Sequence, residues 1–362
     1  MTGAINEDQE LDFEFGLYTF GDLARDPVTG RAIDAHERLQ EIVAAAQLAD
    51  EAGLDVFGVG EHHRLDFAVS SPAVVMAAIA QVTRRIRLFS ATTVLSTADP
   101  VQVFEDFATL DLLSSGRAEI IAGRGAFVES FPLFGYDLND YEGLFSEKIG
   151  LLLKLGAEER VNWNGHHRSA LSNAEIAPRP LQQRMPVWIG VGGTPESAAR
   201  AGTLGTGMTI AMLGGDPARF KPLVDIYKKA GAEAGHSPAE LKIAVASHGY
   251  LASTTEQAAA EFYPYYMNYF GKLMRERGRE FQLSRNDLLQ MAGPNHALAV
   301  GSPQQIIEKI LYQHELFGHH RFTAQIDIGG QPLSKVAAAI DLLAAEVAPV
   351  VRREIRKGRS HG

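Results

Sequence analysis

The sequence predicts an α/β protein folded as one (β/α)8 TIM barrel. Two observations carry this: eight short apolar runs, and a segment of helical periodicity after each of them. Strand–helix alternation implies parallel strands, because parallel neighbours need a crossover connection, and eight in succession favour closure over an open doubly wound sheet. A length of 362 residues fits such a barrel as one unit, although a typical domain size would divide it in two.

The first run, 14–20, precedes an amphipathic stretch at 36–53, with Leu39, Ile42, Val43, Ala46 and Ala49 at helical spacing and Gly53 where a C-cap would stand. The second run is 55–60, and Ser71-Pro72 opens its helix with proline at the first position. The third run, 86–95, leads into a helix from Asp99-Pro100 to Gly116; the fourth, 118–122, into one over 139–155. Residues 158–185 are polar and rich in Pro and Asn, and read as an insertion after helix 4. The runs 187–191, 206–213 and 241–252 follow, with helices opening at Thr194-Pro195 and Asp216-Pro217. The long segment 254–317 reads as an insertion after strand 7 with at least two helices; the run 322–328 and a helix over 333–351 close the series. Residues 1–13 are then expected as a flexible tail, 14–352 as the barrel and 353–362 as a basic tail.

Composition narrows the function classes. Without cysteine there is no disulfide, thiolate ligand or cysteine nucleophile. A net charge of −10 argues against a general nucleic-acid surface. The acidic, polar N-terminal stretch resembles no targeting peptide, and no run approaches the ~20 apolar residues of a membrane span. A soluble cytoplasmic enzyme is the expectation.

In such a barrel, chemistry gathers at the C-terminal strand ends. After strand 2 stand Glu61, His62, His63 and Arg64; a His there suits a general base, a proton shuttle or a metal ligand. Adjacent side chains diverge, so at most one histidine faces the mouth, and a core-packed pair is the plain alternative. No HxH or HExxH spacing supports a metal, and none is expected. After strand 3, Ser90, Thr92, Thr93, Ser96 and Thr97 offer hydroxyls to a heterocycle edge, or serve only as strand filling. After strand 4, Gly123-Arg124-Gly125 sets a guanidinium where a ligand can come close; a surface turn is the alternative.

The fifth strand end is the most explicit. Gly190, Gly192 and Gly193 precede Thr194 as a natural N-cap, Pro195 in the first turn and Ser197 one helical step further in. Amides and hydroxyls at a helix N-terminus make an anion site. A helix cap without a ligand is the other reading, although the glycines are superfluous for it. Neither glycine segment has the third Gly of GxGxxG, which argues against a Rossmann nicotinamide site, and no GxSxG or Walker A motif is present. A phosphate cradle, an arginine, hydroxyls and one histidine together point to a phosphorylated planar cofactor.

At these residues the chain resembles the bacterial luciferase family of flavin-dependent monooxygenases. The likeness rests on Gly60-Glu61-His62-His63, Asp99-Pro100-Val101 through Glu105-Asp106, Leu110-Asp111 with Ser115-Gly116-Arg117, Gly123-Arg124-Gly125, and Phe134-Gly135-Tyr136-Asp137 with Asn139. It implies a barrel that uses reduced FMN and oxygen to oxidise a small organic substrate through a C4a-peroxyflavin. By the same resemblance His62 would be the catalytic acid/base, Arg124 would pair with the FMN phosphate, and Thr194, Ser197, Gly192 and Gly193 would hold that phosphate. Ala91-Thr92 would form a cis peptide beneath the flavin ring, and the segment after strand 7 a lid. A separate NAD(P)H:flavin reductase and a homodimer are also implied.

Three positions depart from luciferase. Glu142 stands where a second phosphate-pairing Arg would be, Gly123 replaces a reactive Cys, and Ala211-Met212-Leu213 lacks a Trp. These weigh against light emission and long-chain aldehydes, not against flavin oxygenation. The alternatives are a deazaflavin-dependent reductase, which would want basic residues beyond Arg124 and Arg64, and a non-catalytic flavin-binding protein, whose relatives lose parts of the barrel. A metal-dependent hydrolase lacks ligands. Tyr263, Tyr265, Tyr266, Tyr269 and Phe270 either line an apolar substrate pocket or form a packing face.

Overall fold

Eight parallel strands close into a ring in the computed structural model, which describes residues 13–125 and 127–359. In chain order they are β1 (Glu14–Thr19), β2 (Val56–Val59), β3 (Arg87–Ser90), β4 (Ala118–Gly123), β5 (Val187–Val191), β6 (Gly207–Ala211), β7 (Ile243–Leu251) and β8 (Arg321–Gln325). Each pairs with the next, and β8 returns to β1 with Glu14 opposite Arg321. All eight apolar runs supply a strand. The third is interrupted at Ala91–Thr92, whose peptide bond is cis, and Thr93–Val94 then pairs separately with β4.

Local chemistry sets the helix boundaries. Asp34 caps the helix Ala35–Ala52 through the Glu37 amide, and Gly53 ends it with φ +86°. Asp99 caps Pro100–Ser114 through the Val101 and Gln102 amides, with proline in the first turn. The helix expected from Asp216-Pro217 begins instead as a 3-10 turn, Pro217–Phe220, before Lys221–Glu233. Between the helix Tyr141–Ala157 and β5 lies an antiparallel ribbon of Arg160–Trp163 and Leu171–Glu175. The segment after β7 holds the helices Thr255–Glu276 and Arg285–Met291 and a short strand, Ala299–Gly301, which pairs with β7 before the helix Pro303–Phe317. No apolar run of the sequence signalled that strand. The N-terminal tail lies outside the described residues except for Phe13, which is buried against Phe15. At the other end the final helix continues to Arg359, through most of the stretch read as a basic tail.

Two cores result. The larger fills the space between strands and helices, and a smaller one inside the ring gathers Tyr18, Val56, Phe89, Ile121, Trp188 and Ala244. Beneath the inner core, at the N-terminal end, Arg321 pairs with Glu119 (2.7 Å) and Glu14 (2.7 Å), and Arg87 pairs with Glu119 (3.0 Å). Trp188 donates its indole N–H to Glu119 (3.0 Å) and lies under the Arg321 guanidinium. The ring is thus sealed below, and its open face is the C-terminal one.

Candidate functional site

Loops after β2, β4 and β5 build the open face. The adjacent histidines part company there, as the chain geometry requires. His63 bonds to Glu61 (2.9 Å) and meets the Phe134 ring, while Glu61 also accepts the Val94 amide (3.0 Å). His62 turns into an aromatic cage. Its ring stacks on Phe67 (centroids 4.1 Å apart) and meets Phe20 (5.0 Å) and Phe127 (5.5 Å). Burial lowers its pKa from 6.5 to about 4, so the imidazole is neutral at pH 7, with Nδ1 buried and unpartnered.

Thr92 lies on the floor of the mouth. A Cβ at Gly123 would stand 2.3 Å from Thr92 Oγ1, and one at Gly190 would stand 3.3 Å from Thr92 Cγ2. Glycine at 123 therefore makes room for the threonine.

Arg124 reaches from β4 to the helix Pro195–Thr203. It donates to Ser197 Oγ (3.0 Å) and Thr194 Oγ1 (3.3 Å), pairs with Glu142, and lies over the Tyr141 ring. Thr194 occupies the N-cap position but makes no side-chain cap bond; its hydroxyl instead meets Ser197 (2.7 Å). That geometry removes the simple cap as the reason for Thr194. Gly192 and Gly193 face open space, with Gly193 at φ +134°, so a ligand can come close to the backbone. Sequence reasoning missed Arg200, which also pairs with Glu142 (3.0 Å) and keeps Nη1 buried and unpartnered. Position 200 stands one turn beyond Ser197, but its place at the rim rests on Glu142, 58 residues earlier, which local spacing does not show. Two guanidiniums, two hydroxyls and open backbone converge on one spot, with the Glu142 carboxylate between the arginines. This is the donor set a phosphate monoester needs.

The helix Thr255–Glu276 leans over the mouth. Arg64 binds Asp66 (2.9 Å) and Glu276 (2.8 Å), and Lys272 binds Asp66 (2.7 Å), tying the helix to the His62 loop. A cavity of about 170 Å3 lies beneath, walled by Phe67, Phe127 and Tyr269. The aromatic run on this helix divides. Tyr265 and Tyr266 are buried, whereas Tyr269 and Phe270 approach His248, at 6.3 and 5.4 Å between centroids. A larger cavity of about 560 Å3 opens at the opposite, N-terminal end beside Trp188 and Lys242, and none of the expected site residues lines it. Among the described residues no three His, Asp or Glu side chains gather as a cation would require.

Comparison with known proteins follows this geometry. The model of the luciferase-like monooxygenase family matches residues 13–320. The uncharacterised protein y4wF of Sinorhizobium fredii is 33% identical over 171 residues, 47% of this chain and only 49% of that protein. The oxygenase component of the flavin-dependent trigonelline monooxygenase of Acinetobacter baylyi is 25% identical over 85% of this chain and 89% of its own. Among solved structures, the oxygenating constituent of 3,6-diketocamphane monooxygenase from Pseudomonas putida, in complex with FMN, superposes with TM-score 0.73 at 20% identity, covering 93% of this chain and 98% of that one. A coenzyme F420-dependent tetrahydromethanopterin reductase from Methanopyrus kandleri does so with TM-score 0.72 at 19% identity, covering 94% and 99%. At these identities the structural likeness is one of fold.

Proposed function

The chain belongs to the luciferase-like monooxygenases, a family of flavin-binding oxidoreductases, and on that premise we propose that it is an oxygenase component using reduced FMN and molecular oxygen to oxidise a small organic substrate. The observation that carries the choice of FMN is the convergence of Arg124, Arg200, Thr194 and Ser197 beside the open Gly192–Gly193 backbone. A terminal phosphate fits it. The longer, more acidic tail of a deazaflavin would want further cations, and Arg64 is already engaged by Asp66 and Glu276.

Bound reduced FMN would supply the electrons that activate oxygen. The chain's own residues hold and shield it. The Arg124–Ser197 cluster would hold the phosphate, Ala91 and Thr92 would support the ring, and the Phe20–Phe67–Phe127 cage with the ion-paired helix would exclude water. His62, neutral and partnerless at Nδ1, would exchange one proton with the reacting groups. The trigonelline relative is an oxygenase component, which supports a separate NAD(P)H:flavin reductase as the source of reduced cofactor. Exposed Val74, Leu112 and Leu113 on the packed helices Pro72–Val82 and Pro100–Ser114 support a homodimer.

The test is anaerobic titration with reduced FMN and with reduced F420, followed by oxygen mixing in stopped-flow absorbance. Saturable FMN binding and an oxygen-dependent transient are expected; preference for F420 without an oxygen transient would refute the reading. Replacing His62 by Ala should leave FMN affinity within a few-fold while slowing turnover by roughly 10²-fold or more.

A further inference from the structure

We infer that Gln325, His248 and Tyr18 form a second recognition wall inside the mouth, one that holds an organic substrate by an uncharged hydrogen-bonding group. This rests on the flavin reading above and assigns the side of the barrel which that reading leaves unused.

The three side chains come from adjacent strands and face inward together. On β7, Ala244 belongs to the inner core and Ala246 packs against it, so His248, two residues further, shares their face. His248 is registered opposite Gln325 on β8. On the other side of β8, Leu17 is opposite Ala324, which carries Tyr18 alongside Gln325. In a ring of eight, β8 lies diametrically across from β4, which bears Arg124. A cofactor gripped at β4–β5 and laid across the mouth would therefore leave β7–β8–β1 as the wall facing its far side.

This wall has unspent hydrogen-bonding capacity. Gln325 is fully buried, yet neither its Oε1 nor its Nε2 makes a bond of normal geometry; His248 Nδ1 and the Tyr18 hydroxyl are likewise buried and unpartnered. Buried polar atoms of native proteins are nearly always paired, and a glutamine serving only to fill space would be better replaced by leucine. The nearby Gln325 amide opposes the effect of burial on His248 only in part, and that imidazole is neutral, with its pKa lowered to about 4. Beyond the effect of burial, Asp327 raises the Tyr18 pKa and Asp22 that of Tyr269, while Arg38 pairs with Asp327; these carboxylates disfavour an added anion. Tyr269, which meets the His248 ring, links this wall to the cavity of about 170 Å3 that it lines with Phe67 and Phe127. A cavity of that size takes one ring. The substrate class is thus an aromatic or apolar body bearing an amide, ketone or similar neutral group.

The experiment compares benzamide, benzoate and benzylamine as probes, by saturation-transfer NMR on wild-type protein and on Gln325→Leu and His248→Leu, each with and without FMN. Melting temperature and FMN affinity are measured in parallel. We expect wild type to favour benzamide, and Gln325→Leu to lose that signal at least fivefold with FMN affinity within twofold. Its Tm should rise by roughly 2 °C as the unpaired amide is removed. Preference for benzoate or benzylamine, no binding of any probe, benzamide binding retained in both variants, or a fall in Tm for Gln325→Leu would each overturn the inference. Failure of FMN to bind wild type would instead strike the cofactor reading, and the arms without FMN keep the two apart.

Discussion

Two arginine–glutamate clusters occupy opposite ends of this barrel, and the contrast separates structure from recognition. At the N-terminal end Arg321 and Glu119 have side chains only 2% exposed, and the guanidinium is bound to Glu119 through both terminal nitrogens and to Glu14 through Nε. Burial opposes its charge, but Glu119 and Glu14 outweigh burial and hold its pKa above the usual arginine value. At the C-terminal rim Arg124 and Arg200 share Glu142, whose side chain is 59% exposed, and Arg200 Nη1 goes unpaired. The same residue types therefore do different work. A closed buried set locks strands together, while the open set, with hydroxyls and bare backbone beside it, has the donors that the proposed phosphate would need.

The largest expected effect tests the closed set. Arg321→Met leaves Glu119 and Glu14 buried without their main partner, and should lower unfolding free energy by about 3–5 kcal/mol in urea denaturation, or prevent soluble folding. A midpoint matching wild type would break the comparison.

Acidification sharpens it from another side. His62 and His248 have folded pKa values lowered to about 4 from 6.5, so the unfolded chain takes up protons first. Stability present above pH 6.5 should fall as pH drops toward 4, by up to roughly 3 kcal/mol per histidine. Glu14, lowered by Arg321 and Arg87 against the effect of burial, withdraws its contribution only below pH 4.5. Melting curves at pH 7, 5.5 and 4 should show the first loss, and His248→Leu should flatten it. An unchanged slope in that variant would contradict the buried neutral imidazole.

Arg124→Ala tests the open set. Reduced FMN should bind about 10- to 100-fold more weakly, riboflavin almost equally, and Tm should barely move. Equal losses for both ligands would remove the phosphate role. The smallest effect belongs to Glu142→Gln, which frees both rim arginines and should tighten FMN by about two- to fivefold. Weaker FMN binding would mean that Glu142 orients the arginines rather than competing for them.

Much of this was readable along the chain. Leu17, Val56 and Ile189 belong to apolar runs bounded by turn residues, and each became a strand because strands and their helices are local in sequence. The proposed phosphate site was partly readable, since Thr194, Pro195 and Ser197 lie within four residues of one another. Arg200 was missed because its service to the rim depends on Glu142, 58 residues earlier, and nothing in local spacing reveals that. The strand Ala299–Gly301 was missed because three residues carry no periodicity.

By itself, the order of residues determined the eight-unit barrel and set glycine, threonine and arginine types suited to an anion after its fourth and fifth strands. Only tertiary structure decided which histidine enters the cage, that Gly123 yields to Thr92, and that His248 stands opposite Gln325. The reason is physical. Periodicity and caps are set by neighbours a few residues apart, whereas burial, pairing and facing direction arise when ring closure brings β8 against β1 and β7.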